Sequence, residues 1–191
     1  MSYQAIVLAA GAGSRYGGGK LLSDYRGRPL VFAAVEAALA AEVEEVIVVL
    51  GCDGARVAAG LGPLATPRLR PVIAFDWQEG LSASLRCGIG CLPKSSLGAL
   101  LFLGDMPRIT PDLPARVLEA LRGGAVAAQP MHHDRPAHPV GFSAALYDRV
   151  SRLDGDTGAG AMLRTLPGVA RFQAGNDGAV FDVDTPQDAL A

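Results

Sequence analysis

The chain has 191 residues and a mass of 19.7 kDa, with half its residues hydrophobic and 19% charged; that suits one domain, 1–191, with a sizeable core, and excludes wholesale disorder. A formal net charge of −2 argues against nucleic-acid binding through bulk basicity but leaves room for a local phosphate site. No run of about 18 apolar residues is present to span a membrane, Met1-Ser2-Tyr3-Gln4 lacks the basic start of a secretory signal, and the three cysteines (Cys52, Cys87, Cys91) fit a reducing compartment, so a cytoplasmic protein is expected.

Short runs that are apolar at every position recur along the chain: Ile6–Ala9, Val46–Leu50, Val72–Phe75 and Leu100–Leu103. Strands covered on both faces read this way, and such strands belong to parallel sheets. Helical stretches lie between them. Pro29–Ala41 has proline in its first turn and Val31, Val35, Ala38 and Leu39 on one face. Asp53–Leu61, Ser82–Cys91 and Pro111–Leu121 continue the alternation. The order predicts an α/β three-layer sandwich around a mostly parallel, Rossmann-like sheet. Beyond Ala128 the pattern loosens: Met131–Ser143 reads as a long loop with a short strand, and Gly155–Leu166 as a turn followed by a helix. Val180–Val183 reads as a last strand, and Thr185-Pro186 as the start of a terminal helix capped by threonine. Cys87 and Cys91, four apart, read as small buried hydrophobes.

Leu8-Ala9-Ala10-Gly11-Ala12-Gly13-Ser14-Arg15-Tyr16-Gly17-Gly18-Gly19-Lys20 follows the first strand directly. Glycines bring backbone close to a ligand and aim several N–H groups at one point, which makes a phosphate cradle. Arg15 adds a charged fork and Lys20, one of only two lysines, a point charge. The dinucleotide fingerprint fails because Tyr16 stands at its third glycine. The P-loop fails because Ser14 stands at its first glycine and Leu21 follows the lysine. Asp105, in Gly104-Asp105-Met106-Pro107, falls at the carboxyl end of an apolar strand, the edge where open α/β sheets bind ligands, and a carboxylate there suits Mg²⁺. Asp182-Val183-Asp184-Thr185-Pro186 brings two more carboxylates, which strand alternation puts on one face; either completes a metal site with Asp105. His132, His133 and His138 lack standard ligand spacing.

Leu8 to Lys20 resembles the L-A-A-G-x-G-S-R-x-G-x-x-K signature of the molybdopterin nucleotidyltransferase family. Gly80-Leu81-Ser82-Ala83-Ser84-Leu85, Gly104 to Pro107, His138-Pro139-Val140-Gly141-Phe142 and Asp182 to Pro186 fit in order. Within the family the chain is most similar to the molybdenum cofactor cytidylyltransferases, on Ala10 and on the aspartates of the last motif. The resemblance implies transfer of CMP from CTP to the phosphate of molybdopterin, with release of pyrophosphate. GTP as donor, or another triphosphate with a sugar or alcohol phosphate, is the related alternative.

The resemblance implies roles as well. Arg15, Lys20 and Asp105 are catalytic, and Leu8 to Arg15 with Lys20, Gly80, Ser82 and Ser84 bind nucleotide. His138, Pro139, Gly141, Asp156 and Gly158 bind the acceptor, and Asp105 with Asp184 holds Mg²⁺. A molybdoenzyme or its chaperone is the implied recipient, with neither nucleic acid nor membrane as partner. Two phosphates brought to 4 Å repel by about 4 kcal/mol at an effective dielectric of about 20, so the cations have a clear task. The chain departs from the family at Gly160, where arginine is usual, leaving Arg164 one turn on, and at Tyr16, where methionine or phenylalanine is usual.

Overall fold

A computed structural model describes residues 2–190. Strand β1 (Ser2–Ala9) runs through the middle of the main sheet, parallel to β4 (Val46–Leu50) on one side and to β6 (Ser96–Leu103) on the other. Side chains alternate across these strands, and along their central stretches both faces find cover. Ala5, Val7 and Ala9, with Val46, Val48, Leu50, Leu100 and Phe102, meet helices α1 (Leu30–Ala40), α2 (Gly54–Gly60) and α4 (Asp112–Arg122). Ile6 and Leu8, with Ile47, Val49, Ala99 and Leu101, meet α3 (Leu81–Gly90), α5 (Tyr147–Ser151) and α6 (Ala159–Thr165) on the other face. Burying a side chain of this size stabilises by about 1.5–3 kcal/mol, which is why uninterrupted apolar runs mark these three strands. At Gly88 helix α3 lies so close to the sheet that a Cβ would meet Ile6 at 2.8 Å.

Beyond β6 the sheet continues through β9 (Val140–Ser143) and β7 (Ala127–His132) to β10 (Val169–Gln173). Its full order is β10-β7-β9-β6-β1-β4-β5, with β5 being Leu69–Ile73. β9 is antiparallel to both neighbours, while β10 and β5 are parallel to theirs. The short β8 (Arg135–Pro136) hairpins onto β7, and β2 (Asp24–Tyr25) pairs with β3 (Arg28–Pro29) apart from the main sheet. The result is a mostly parallel α/β sandwich. Among the described residues no helix is long and apolar enough to cross a membrane.

Several expectations from the sequence are corrected. The third apolar run is an edge strand set earlier than expected: β5 ends at Ile73, and Phe75 beyond it is 89% exposed. Residues 131–143 hold the end of β7, the hairpin strand β8 and the strand β9, where a long loop with one short strand was expected. The chain there is held by sheet pairing to β6, which its own prolines and glycine do not signal. Val180–Val183 is not a strand. It follows a 3-10 turn at Asp177–Val180 and runs extended, docked by a bond from the Val183 amide to the Asp105 carbonyl at 3.0 Å. The terminal helix is a single 3-10 turn, Asp188–Leu190, and Thr185 is not its cap: its hydroxyl and amide both donate to the Asp188 carboxylate. Cys87 and Cys91 are half-buried.

Candidate active site

The loop leaving β1 sits on the carboxyl edge of the sheet. Gly13, Gly17, Gly18 and Gly19 all have φ between 58° and 95°, left-handed values that other residues adopt at a cost. A 3-10 turn at Ser14–Tyr16 folds between them. The loop is anchored from beneath, where the Cys52 amide donates to the Ala10 carbonyl at 3.1 Å. The backbone of the loop is exposed, yet Lys20 at its end is 8% exposed. Its stem runs under Gly13, where a Cβ would lie 2.9 Å from that of Lys20. Glycine at that position therefore keeps the loop and the lysine in register.

The Lys20 ammonium ends between two carboxylates, 2.7 Å from Asp105 and 3.3 Å from Asp184. Arg15, almost fully exposed, reaches the other oxygen of Asp184 at 3.1 Å. Burial alone would lower the pKa of Lys20; the Asp105 and then the Asp184 contacts more than offset that and hold it above its ordinary value. Asp105 leaves β6 just after Gly104, whose amide is tied to the Leu8 carbonyl at 2.8 Å. Asp184 is set by Asp188, whose carboxylate accepts from the Asp184 amide at 3.1 Å and from the Thr185 amide and hydroxyl at 2.7 and 2.8 Å. Those bonds, the hydroxyl first, hold Asp188 below the usual carboxylate range. Asp182 is pushed the opposite way, first by burial and then by the charges of Asp184 and Asp105.

Two cations thus face three carboxylates (Asp105, Asp182 and Asp184), which compete with a polyphosphate for the charge of Arg15 and Lys20. Two of those carboxylates converge on one point, now the ammonium of Lys20. Among the described residues no set of three or more His, Cys, Asp or Glu side chains forms a metal cage. A pair of carboxylates completed by phosphate oxygens is nevertheless the donor set that Mg²⁺ favours, so Asp105 and Asp184 fit a divalent ion.

Two cavities open beside this cluster. One, of about 430 Å³, is lined by Leu8 to Gly13, Lys20, Trp77, Gln78, Gly80, Ser84 and Asp105, among others. The other, of about 440 Å³, is lined by Leu85, Leu101, Gln129, His138, Val140, Thr157, Gly158 and Arg164, among others. They share Leu8, Leu81, Leu103 and Asp156 as a common wall. A loop for phosphates, an acidic pair and two adjoining cavities can bring two phosphorylated molecules together.

Residues 5–171 match the MobA-like NTP transferase domain. The chain belongs to that nucleotidyltransferase family. Among curated relatives, nicotine blue oxidoreductase of Paenarthrobacter nicotinovorans is 34% identical over 94% of this chain and 91% of its own length. The 2-C-methyl-D-erythritol 4-phosphate cytidylyltransferase of Synechocystis is 36% identical over 66% of this chain and 56% of its own length. Among solved structures, Rv0371c from Mycobacterium tuberculosis H37Rv superposes with a TM-score of 0.87 at 27% identity, covering 100% of this chain and 96% of that one. The manganese complex of Rv0371c gives a TM-score of 0.81 at 25% identity, covering 100% and 97%.

In this MobA-like domain most residues singled out from sequence gather at the two cavities. Leu8, Ala9, Ala10, Gly11, Ala12, Gly13, Lys20, Gly80, Ser84 and Asp105 line the first, while His138, Asp156 and Gly158 line the second, with Arg164 beside them. Ser14 lies in the exposed turn, outside the first cavity's wall. Ser82 does not reach the cleft either: it is fully buried, and its hydroxyl accepts from Arg86 at 3.2 Å. Gly141 faces away from the second cavity, packed so tightly against Val117 and Leu121 of α4 that no Cβ fits. Pro139 is buried outside that wall and joined to His138 by a cis bond. Asp182 does not share the position of Asp184, since the segment is no strand, and it forms no ion pair among the described residues. Leu81, Leu103 and Thr157 are wall residues that sequence reading did not single out. So is Gln129, whose only signal was an amide inside an apolar strand.

Arg86 joins the two cavities structurally. It donates to the Leu153 carbonyl at 2.9 Å and to Glu79 at 3.0 Å, linking the Trp77–Glu79 turn of the first cavity to the loop that carries Asp156. Gly80 lets these segments touch: a Cβ there would lie 2.6 Å from the Gly155 backbone.

Proposed function

We propose that this chain transfers CMP from CTP to the terminal phosphate of molybdopterin, giving the cytosine dinucleotide form and pyrophosphate. The observation that carries the reading is the Lys20–Asp105–Asp184 cluster, placed at the foot of the glycine loop beside the wall shared by the two cavities. The triphosphate lies along the loop, where backbone amides, Arg15 and Lys20 neutralise it. The base occupies the cavity lined by Trp77, Gln78 and Ser84, with the methyl of Ala10 limiting its floor and favouring the smaller pyrimidine. The acceptor fills the second cavity, with its phosphate directed at the shared wall. An oxygen of that phosphate forms the new bond to the α-phosphorus as the bond to the β-phosphate bridging oxygen breaks, and pyrophosphate leaves with the electron pair. No covalent enzyme intermediate is needed; the protein supplies alignment and charge. Asp105 and Asp184 would hold Mg²⁺, which when bound would supply further positive charge at the α-phosphate.

Pyrophosphate release with Mg²⁺, each of the four triphosphates in turn, and molybdopterin as acceptor tests the reading. Release that requires CTP and molybdopterin together supports it. Release with GTP, or only with a sugar or alcohol phosphate, moves the assignment to the neighbouring transferases, in keeping with the erythritol-phosphate relative. A second reading comes from the 34% identity to an enzyme named as an oxidoreductase. Consumption of reduced nicotinamide without pyrophosphate release would favour it.

A further inference from the structure

The second cavity contains a polar group for which the phosphate chemistry has no use. Gln129 lies in β7 next to the fully buried Ala127 and Ala128 and is itself 2% exposed. Strand alternation sends it to the face of Ala127, the side covered by α3, α5 and α6, and it lines the cavity there. Its carboxamide has two donors and an acceptor, and among the described residues it forms no hydrogen bond. Among the described residues, the side-chain atoms that are both sealed from solvent and unpartnered are Gln4 Oε1 and Thr110 Oγ1. The Gln129 amide is not one of them, so its polar atoms open onto the cavity. A buried polar group without a partner is costly, so a site that keeps one is built for a ligand that satisfies it.

The rest of the wall limits what that ligand is. Leu85, Leu101 and Val140 are apolar. His138 lies 3.4 Å through Nδ1 from the Leu101 carbonyl, which only accepts, so Nδ1 carries the proton and Nε2 remains an acceptor. Burial lowers the pKa of His138, which keeps the ring neutral. At its buried end, formed by Leu85, Leu101, Gln129 and Val140, the slot is neutral and mostly apolar, while Asp156, Thr157 and Arg164 stand on its exposed side. A buried end with one side-by-side donor and acceptor suits a flat ring with a complementary edge. It does not suit a polyol, whose many hydroxyls would go unpaired.

We propose that Gln129 determines acceptor specificity, its carboxamide pairing with the lactam or amidine edge of an uncharged planar heterocycle held between the apolar walls. The proposal deepens the transfer reading above and rests on it for the direction of the acceptor's phosphate.

The test is equilibrium binding to the full chain, read by fluorescence, of 6-hydroxymethylpterin (ring without phosphate) and of erythritol 4-phosphate (polyol phosphate). The proteins are wild type, Gln129→Leu and Gln129→Glu, with CTP–Mg²⁺ binding as the control for an intact neighbouring site. The pterin should bind the wild type, and at least about tenfold more weakly to Gln129→Leu, whose CTP affinity is unchanged. Gln129→Glu, isosteric but lacking the donor, should also bind it more weakly, and serves if the leucine variant folds poorly. Pterin affinity in these variants equal to or above that of the wild type overturns the proposal, as does a wild type that binds the polyol phosphate but not the pterin. Pterin binding is read without nucleotide and CTP binding without pterin, so this proposal and the transfer reading fail separately.

Discussion

Lys20→Met removes the ammonium at the centre of the acidic cluster and keeps the length and apolar character of its stem. The Lys20 side chain is 9% exposed, whereas Asp105 and Asp184 are 29% and 43% exposed. Stripping one partner from a fully buried pair costs about 3–5 kcal/mol, and from a surface pair about 0–1 kcal/mol. Water reaches both carboxylates here, so the loss lies between these limits, at about 1–2 kcal/mol, or about 2–8 °C in Tm for a chain of this size. Activity should suffer far more. A charge aimed at the transferring phosphates is worth about a hundredfold to a thousandfold in rate. The variant also frees two carboxylates for a divalent ion that, in the wild type, has to displace the ammonium. Thermal melting with and without Mg²⁺ should therefore show a larger rise in Tm for Lys20→Met than for wild type, while pyrophosphate release collapses. A loss of turnover below about tenfold, or equal Mg²⁺ stabilisation of both proteins, refutes the reasoning.

Asp105→Asn should abolish transfer while CTP still binds, measured by calorimetry; unchanged turnover would remove Asp105 from the reaction. Asp188→Ala removes the acceptor of three bonds that set Asp184, so turnover should fall with little change in folded secondary structure by circular dichroism. Asp188 is held below the ordinary carboxylate range, so its contribution to stability is present above about pH 4 and is lost as pH falls through its depressed value. Wild type should therefore lose more stability than Asp188→Ala on acidification. Asp182 has the opposite sign: its raised pKa means that the ionised form opposes folding, and the penalty disappears as pH falls through that raised value. Asp182→Asn should raise Tm at pH 7 and lose this advantage in acid, with turnover retained because Asp184 is the carboxylate paired with Lys20. Gly141→Ala forces a methyl into Val117 and Leu121. It should lower stability by about 1–3 kcal/mol, with normal turnover per folded molecule, because that glycine packs against α4 away from the acceptor cavity.

What was legible in the sequence depended on whether a segment's neighbours left a local imprint. β1, β4 and β6 are covered on both faces, so each carries an uninterrupted apolar run. The edge strands β5 and β10 have half-exposed, mixed patterns: β5 was misplaced by two residues at its end, and β10 left no mark at all. β9 is a strand because β6 and β7 flank it, and Pro130, Pro136 and Gly141 in and around these strands argue locally for a loop. Val180–Val183 erred in the other direction. Its alternating apolar residues pack against Tyr25 and Leu30 without pairing to any strand among the described residues, so a packing period was mistaken for a sheet period. The site divides along the same line. A glycine loop after a strand, and an acid at a strand's carboxyl end, are features of one segment each and can be read directly. That Lys20 lies between Asp105 and Asp184, 85 and 164 residues away, depends on how three loops meet and has no sequence period. Ser82 and Gln129 show how burial reverses an assignment. A hydroxyl that looked available to nucleotide is taken by Arg86, while an amide that sequence reading passed over is left unpaired at a cavity wall. The residue type names the chemistry a group can do, and its neighbours in space decide whether that chemistry is already used.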